Sequence, residues 1–227
     1  MADPNLLITG IYTVPEAAEL VEAPSRLVRI WVEGHKGKQA PVIENQLGRV
    51  EGKVAVSFTN LMELRFVSLF HGAGVNLRAI RAIMNEVKEL LGHPHPFATR
   101  TVFRTDGKKI VAEIGRKNGI DDIYDLRTRN YEMHEVVMAS LKDDVVYNPQ
   151  GDAVSWRPRP KLAPNVIVHP HFAFGHPILK ASRIPTSTLA AAVKAERSAR
   201  FVSEIFEVPE RQVREAVTFE EHLRRAA

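Results

Sequence analysis

Two prolines make Phe174-Gly-His-Pro-Ile-Leu-Lys-Ala-Ser-Arg-Ile-Pro-Thr-Ser-Thr-Leu189 the most constrained stretch of this chain. Pro185 forces Ile184 out of helical dihedrals, so the backbone stays extended up to it. The stretch therefore predicts two short extended pieces, Pro177 to Leu179 and Arg183 to Pro185, around a small-residue turn at Ala181-Ser182. Thr186 and Ser187 can accept the unpaired N–H groups of a helix beginning near Thr188. An extended–turn–extended unit that feeds straight into a helix leaves few architectures for the last third of the chain.

These residues also carry a resemblance. Gly175-x-Pro177-x-Leu179-x-Ala181-Ser182-Arg183-Ile184-Pro185-Thr186 is similar to the opening of a small helical domain known as domain of unknown function 433, over about Asn165 to Arg225. Its members resemble VapB-type antitoxins and often accompany a PIN-like nuclease toxin. The family usually has Gly-Thr where this chain has Ala181-Ser182.

With 227 residues, 44% of them apolar, the chain can bury a real core and is expected to fold as two or three small units. It has no cysteine, so there is no disulfide framework and no thiolate metal site, which suits a reducing cytoplasm. Neither a secretory leader nor an apolar run of about 20 residues is present in the sequence, and a cytoplasmic location is expected. The net charge of +4 is unevenly spread: residues 157–227 hold 12 Lys/Arg against 7 Asp/Glu. Positive charge also concentrates between Arg26 and Lys53. Such clusters mark nucleic-acid faces or merely solvated surface.

Near the N-terminus, Tyr12-Thr-Val-Pro-Glu-Ala-Ala-Glu-Leu-Val21 predicts a short helix capped by Thr13, with Glu16 as capping-box partner. A second helix, Pro24 to Val32, places Leu27, Val28, Trp31 and Val32 on an inward stripe and Arg26 and Arg29 on another face. Two short helices joined by so brief a turn suggest helix-turn-helix geometry, in which the second helix enters the major groove. Tyr12, Thr13, Glu16, Ala17, Ala18, Leu20, Arg26, Arg29 and Trp31 resemble the N-terminal reader of MerR-like winged-helix proteins. A plain helical hairpin with solvated arginines is the other reading. Val42-Ile43 and Val54 to Phe58 read as two β-like runs with a turn at Gly48 to Gly52, as in a basic wing. The expected DNA-binding residues are Ser25, Arg26, Arg29, Lys36, Lys38, Arg49 and Lys53. Thr59 or Asn60 is expected to cap a helix over Leu61–Phe70, and Asn76 one over Leu77–Leu91.

Residues 98–156 read as β-rich. A hairpin is expected over Thr101–Ile114 around Asp106-Gly107, a strand at Ile123–Leu126, a helix at Glu132–Leu141 and a second hairpin at Val145–Tyr147 and Ala153–Trp156. Asp121, Asp122, Asp125, Asp143 and Asp144 sit where turns ordinarily place aspartate, and no phosphate-cradling loop accompanies them. His93-Pro-His95 and His169-Pro-His171 with His176 lack a helical ligand spacing. No metal, cofactor or catalytic residue is therefore assigned, and the chain is not expected to be an enzyme.

Arg157 to Pro164 carries three prolines and predicts a stiff, extended connector. Val166 to Val168 follows as a strand, then three helices with Phe201, Ile205, Val208, Val213, Val217 and Phe219 as their core. Lys194, Arg197, Arg200, Arg211 and Arg214 lie outward, and sequence leaves open whether they meet DNA, an acidic protein groove or water.

The fold class expected is α+β, mainly helical. It comprises a winged-helix domain (1–97), a β-rich middle segment (98–156), a Pro-rich connector (157–164) and a small helical antitoxin-like domain (165–227). The resemblances imply a DNA-binding antitoxin of a type II toxin–antitoxin system that represses its own operon. Its partners would be duplex operator DNA and a PIN-like toxin held by Arg183, Arg197, Arg200, Arg211 and Arg214. A homodimer is expected, since paired half-sites enlarge the small interface of one reader helix. A stand-alone regulator with a small-molecule effector in the middle segment is the alternative.

Overall fold

The computed structural model describes residues 6–35, 39–103 and 144–226, a mixture of helices and small sheets. The expected hairpin beyond Phe103, the strand at 123–126, the helix at 132–141 and the aspartates up to Asp143 lie outside the described residues, as do Lys36 and Lys38. Among the described residues no helix is long and apolar enough to cross a membrane.

A short helix α1 (Leu6–Thr9) leads into strand β1 (Ile11–Thr13) and helix α2 (Val14–Val21). The capping box forms: Thr13 Oγ1 accepts from the Glu16 N–H, and the Glu16 carboxylate accepts from the Thr13 N–H at 2.7 Å. Glu22 turns the chain with φ 55°, and α3 (Ser25–Glu33) follows, burying Val28, Trp31 and Val32.

Strands β2 (Arg49–Val50) and β3 (Lys53–Ser57) are joined by Glu51-Gly52, both at positive φ (49° and 76°), as a tight hairpin requires. The sheet order is β1-β3-β2, all antiparallel, with Tyr12 opposite Val56. Val42 and Ile43 are not the wing strand expected of them. Their N–H groups both turn to the Trp31 carbonyl, at 2.7 and 3.2 Å, and cover the end of α3. Helix α4 (Phe58–Gly72) starts three residues before the expected Leu61, because Ser57 is the cap and accepts from the Asn60 N–H. The Asn60 side chain is instead committed to the backbone of Glu44 and Gln46. Helix α5 (Leu77–Leu91) is capped by Asn76 over the expected range.

Arg100–Phe103 forms a 3-10 turn, not the start of the expected strand. Strands β4 (Val145–Tyr147) and β5 (Ala153–Trp156) form the second expected hairpin. Buried Arg65 of α4 holds it, 3.9 Å from the Asp144 carboxylate and 5.3 Å above the Trp156 ring. Desolvation pushes the Arg65 pKa down to about 10 despite the nearby acid.

In the last third, β6 (Val166–Ile167) pairs with β7 (Ile178–Leu179). Ile178 also bridges Pro185, and the Leu179 N–H bonds the Ile184 carbonyl, so the extended–turn–extended unit forms as the prolines dictate. Helix α6 (Thr186–Glu196) begins at Thr186, without a side-chain cap. The buried Thr186 hydroxyl is drawn away to Glu220 of helix α8 (Glu210–Ala226), which is why it does not cap as expected. Ser198 caps α7 (Ala199–Ile205) and so sets its phase. That phase turns Ala199 and Val202 inward and leaves Phe201 and Ile205, expected in the core, 47% and 54% exposed. The core here is Leu189, Val202, Val208, Val213, Ala216, Phe219 and Leu223.

The expected extended connector is packed, not extended. Arg159 is buried and donates to the carbonyls of Leu20 (3.0 Å) and Glu19 (2.9 Å) at the end of α2. Unpaired carbonyls at a helix C-terminus attract a guanidinium in this way. Pro158 and Ala163 are buried beside it. The buried Tyr12 hydroxyl donates to the Gly175 carbonyl at 2.9 Å, and α8 packs on α2. Gly175 sits at φ 92°, and a Cβ there would lie 2.4 Å from the Tyr12 oxygen. Gly175→Ala should therefore destabilise the protein by about 2 kcal/mol or more, through overpacking and a left-handed backbone. Calorimetric unfolding of the full chain should show one transition, moved to lower temperature by this substitution.

Candidate nucleic-acid interface

Helix α3 buries one stripe against the N-terminal core and turns Arg26 and Arg29 outward, while Ser25 at its start is half-buried. Its N-cap is Pro24, which supplies no side-chain acceptor. The Leu27 and Val28 N–H groups return to the Pro24 carbonyl, and the donors that precede them, on Ser25 and Arg26, have no acceptor among the described residues. The neighbouring helix α2 has the opposite arrangement, its first turn closed by Thr13.

The β2–β3 hairpin reaches the far end of the same helix. Arg49 donates to the Gly52 carbonyl at 2.9 Å and to Glu33 at 2.5 Å. Glu33 also lies 3.6 Å from Arg29, one turn back on α3. One carboxylate thus joins Arg29 and Arg49, expected to meet DNA from two different elements, and offsets part of their charge. Arg26 and Lys53 are exposed and make no ion pair among the described residues.

The C-terminal cations do not converge on a single element. Arg200 pairs with Glu204 and Arg214 with Glu210, each one helical turn away. Arg197 ends α6 with φ 55°, and Arg211 lies exposed in the first turn of α8. Arg183, at φ 60°, stacks its guanidinium 4.2 Å over the Phe172 ring. His169 touches both Phe172 and His171, and its pKa is lowered, first by burial and then by His171 and Arg183.

His95 lies against buried Glu63 (3.2 Å), His93 4.0 Å from Asp152 and His176 3.9 Å from Glu16. Among the described residues no group of three or more His, Asp or Glu is placed to hold a metal ion. Asp144 is committed to Arg65.

Two residues that shape this region escape sequence reasoning. Glu33 reads as an ordinary helix-end acid, and only the hairpin's return beside α3 gives it two arginines. Arg159 reads as connector charge, yet it clamps the helix preceding α3; an arginine flanked by Pro158 and Pro160 carries no signal of that role.

No protein-family model matches this chain, and no curated protein sequence matches it. The chain is similar to the crystal structure of Rv2018 from Mycobacterium tuberculosis, with a TM-score of 0.72 and 19% identity over 91% of this chain and 96% of that one. The two share a fold.

Glu33→Gln should change thermal stability by less than about 1 kcal/mol, since all its ion pairs are at the surface. A loss above about 2 kcal/mol in chemical denaturation would mean that Glu33 holds the hairpin rather than only screening its arginines.

Proposed function

We propose that the chain is a DNA-binding antitoxin that represses its own operon and neutralises a PIN-like nuclease toxin. In this reading α2 and α3 are a helix-turn-helix and the β2–β3 hairpin is its wing. The observation that carries it is the exposed face of α3, where an uncapped N-terminus and Arg26 and Arg29 lie together. Unpaired backbone N–H groups at a helix start favour phosphate, and arginines one turn apart suit base edges in the major groove. The basic hairpin flank, Arg49 and Lys53, adds phosphate contacts at one side. A homodimer would place two such helices on paired half-sites.

In operator titrations, Arg26→Ala with Arg29→Ala should cost about 1–3 kcal/mol for each base that is no longer read. Arg49→Ala and Lys53→Ala should weaken binding to all sequences alike and reduce the slope of log affinity against log salt by about one for each phosphate left unneutralised. Glu33→Gln, which frees Arg29 and Arg49, should tighten binding at low salt. Unchanged operator affinity in a folded double arginine variant would remove α3 as the reader.

Support for the toxin partner comes from the Gly175-to-Thr186 motif and the exposed arginines beyond it. Positive side chains complement the acidic metal-binding cleft of such a nuclease and speed encounter with it. Because Tyr12 ties the last third to β1 and Arg159 ties the connector to α2, the division of labour is tested in the full chain. Charge reversal at Arg183, Arg197, Arg200, Arg211 and Arg214 should lower toxin affinity at least about tenfold and leave operator affinity intact. The Arg26/Arg29 variant should do the opposite. Toxin binding lost with Arg26 and Arg29 and kept in the reversed set would overturn the assignment.

A further inference from the structure

A cavity of about 270 Å³ opens between the 40–44 segment, α5 and the chain around Pro94 and Pro96. Its size is near the lower bound of about 300 Å³ for small-molecule pockets. Apolar side chains of Val42, Ile43 and Met84 form much of its wall, and four charged residues also line it: Glu44 and Lys88, which pair with each other, and Glu63 and Arg81.

Glu63 and Arg81 each have capacity that the described protein does not use. Glu63 is buried, and its Oε2 accepts from Asn60 Nδ2 at 3.1 Å and lies 3.2 Å from His95 Nδ1. No donor among the described residues reaches its Oε1. Arg81 spends its Nε on the Ala40 carbonyl at 3.1 Å, while its buried Nη2 has no acceptor among the described residues. A buried guanidinium nitrogen with no acceptor carries a desolvation cost that a bound ligand can relieve, and a buried carboxylate with one oxygen unmet can take a further donor. An anion alone would answer only Arg81, and a cation only Glu63.

We infer that this cavity is a binding site for a small zwitterion with an apolar side chain, the chemistry of an apolar α-amino acid. The ammonium group would sit at Glu63, the carboxylate at Arg81, and the side chain against Val42, Ile43 and Met84. Lys88, paired with Glu44 beside the cavity, gives the carboxylate a second cation and makes Glu44 the group it displaces.

Occupancy bears on α3 directly. The wall residues Val42 and Ile43 both donate to the Trp31 carbonyl in the last turn of α3, and the Glu44 carbonyl accepts from Asn60. A ligand that displaces Glu44 from Lys88 moves the segment on which the end of α3 hangs. This consequence for operator affinity rests on the DNA-binding reading; the binding site does not.

Isothermal titration of the full chain with L-leucine, L-methionine and L-phenylalanine is the test, with 4-methylpentanoate and isoamylamine as singly charged analogues. At least one amino acid should saturate with a Kd of about 1 mM or tighter, given the affinity available per ligand atom. The analogues should bind at least tenfold more weakly. Arg81→Gln and Glu63→Gln should each weaken binding tenfold or more, and Met84→Trp, which fills the cavity, should abolish it in a protein that still unfolds cooperatively. If Glu63→Gln does not fold, Arg81→Gln and Met84→Trp decide. No saturable heat from any of the three amino acids, or saturation that survives both Arg81→Gln and Met84→Trp, overturns the site. Saturable binding with unchanged operator affinity overturns only the coupling to α3; absence of operator binding in the unliganded protein counts against the DNA reading instead.

Discussion

A phenolic hydroxyl buried in a protein must find a partner, and for Tyr12 that partner is the carbonyl of Gly175, 163 residues along the chain. Burial raises the Tyr12 pKa far above its ordinary value, so the group remains a neutral donor at any working pH. The bond exists only because Gly175 has no side chain and tolerates φ 92°, which lets its backbone approach Gly10 and the tyrosine ring. Tyr12 lies on β1, β1 pairs with the central strand β3, and α2 begins one residue after β1 ends. Fixing Tyr12 therefore fixes the sheet edge and the start of the helix pair together. Arg159 does the same at the other end of α2, where it satisfies two terminal carbonyls. The helix that precedes α3 is thus held at both ends by residues from the second half of the chain.

This arrangement bears on how two partners could be served by one protein. A flexible connector would let a DNA-contacting part and a protein-contacting part act separately, linked only by effective concentration. The packed connector of this chain instead joins α2 and the last three helices mechanically, so an event that disturbs α8 also reaches α2 and the His222–Glu22 contact at 3.4 Å. Coupling of this kind needs contiguous packing and not a particular pathway. The surface charges, by contrast, are mostly local. Glu33, Glu204 and Glu210 each neutralise an arginine within one turn, so the charge available to a partner is smaller than the residue count implies.

What was legible in the sequence followed from short-range stereochemistry. Thr13 with Glu16, and Asn76, announce helix starts because their side chains can satisfy N–H groups three residues on. Pro177 and Pro185 dictate extended backbone wherever they occur, and the β7 unit obeys. The inward stripe of α3 reads correctly because helical periodicity needs no knowledge of what covers it. Where prediction failed, a long-range partner had intervened. Asn60 and Thr186 are good caps on local grounds, but Glu44 and Glu220 claim their side chains. Phe201 and Ile205 are large and apolar, yet the helix start at Ser198 sets a phase that gives the core to Ala199 and Val202.

The sequence alone determined the capped starts of α2 and α5, and which face of α3 carries Arg26 and Arg29. All of these depend on dihedral preferences and on groups within four residues of one another. Only the tertiary structure decided that β1 completes the sheet and that Arg159 caps α2 from a distance. It also decided that Glu33 bridges two arginines, and that Glu63 and Arg81 face one cavity. Those outcomes depend on unsatisfied polar groups meeting across the folded chain, and neither partner's local sequence contains the other.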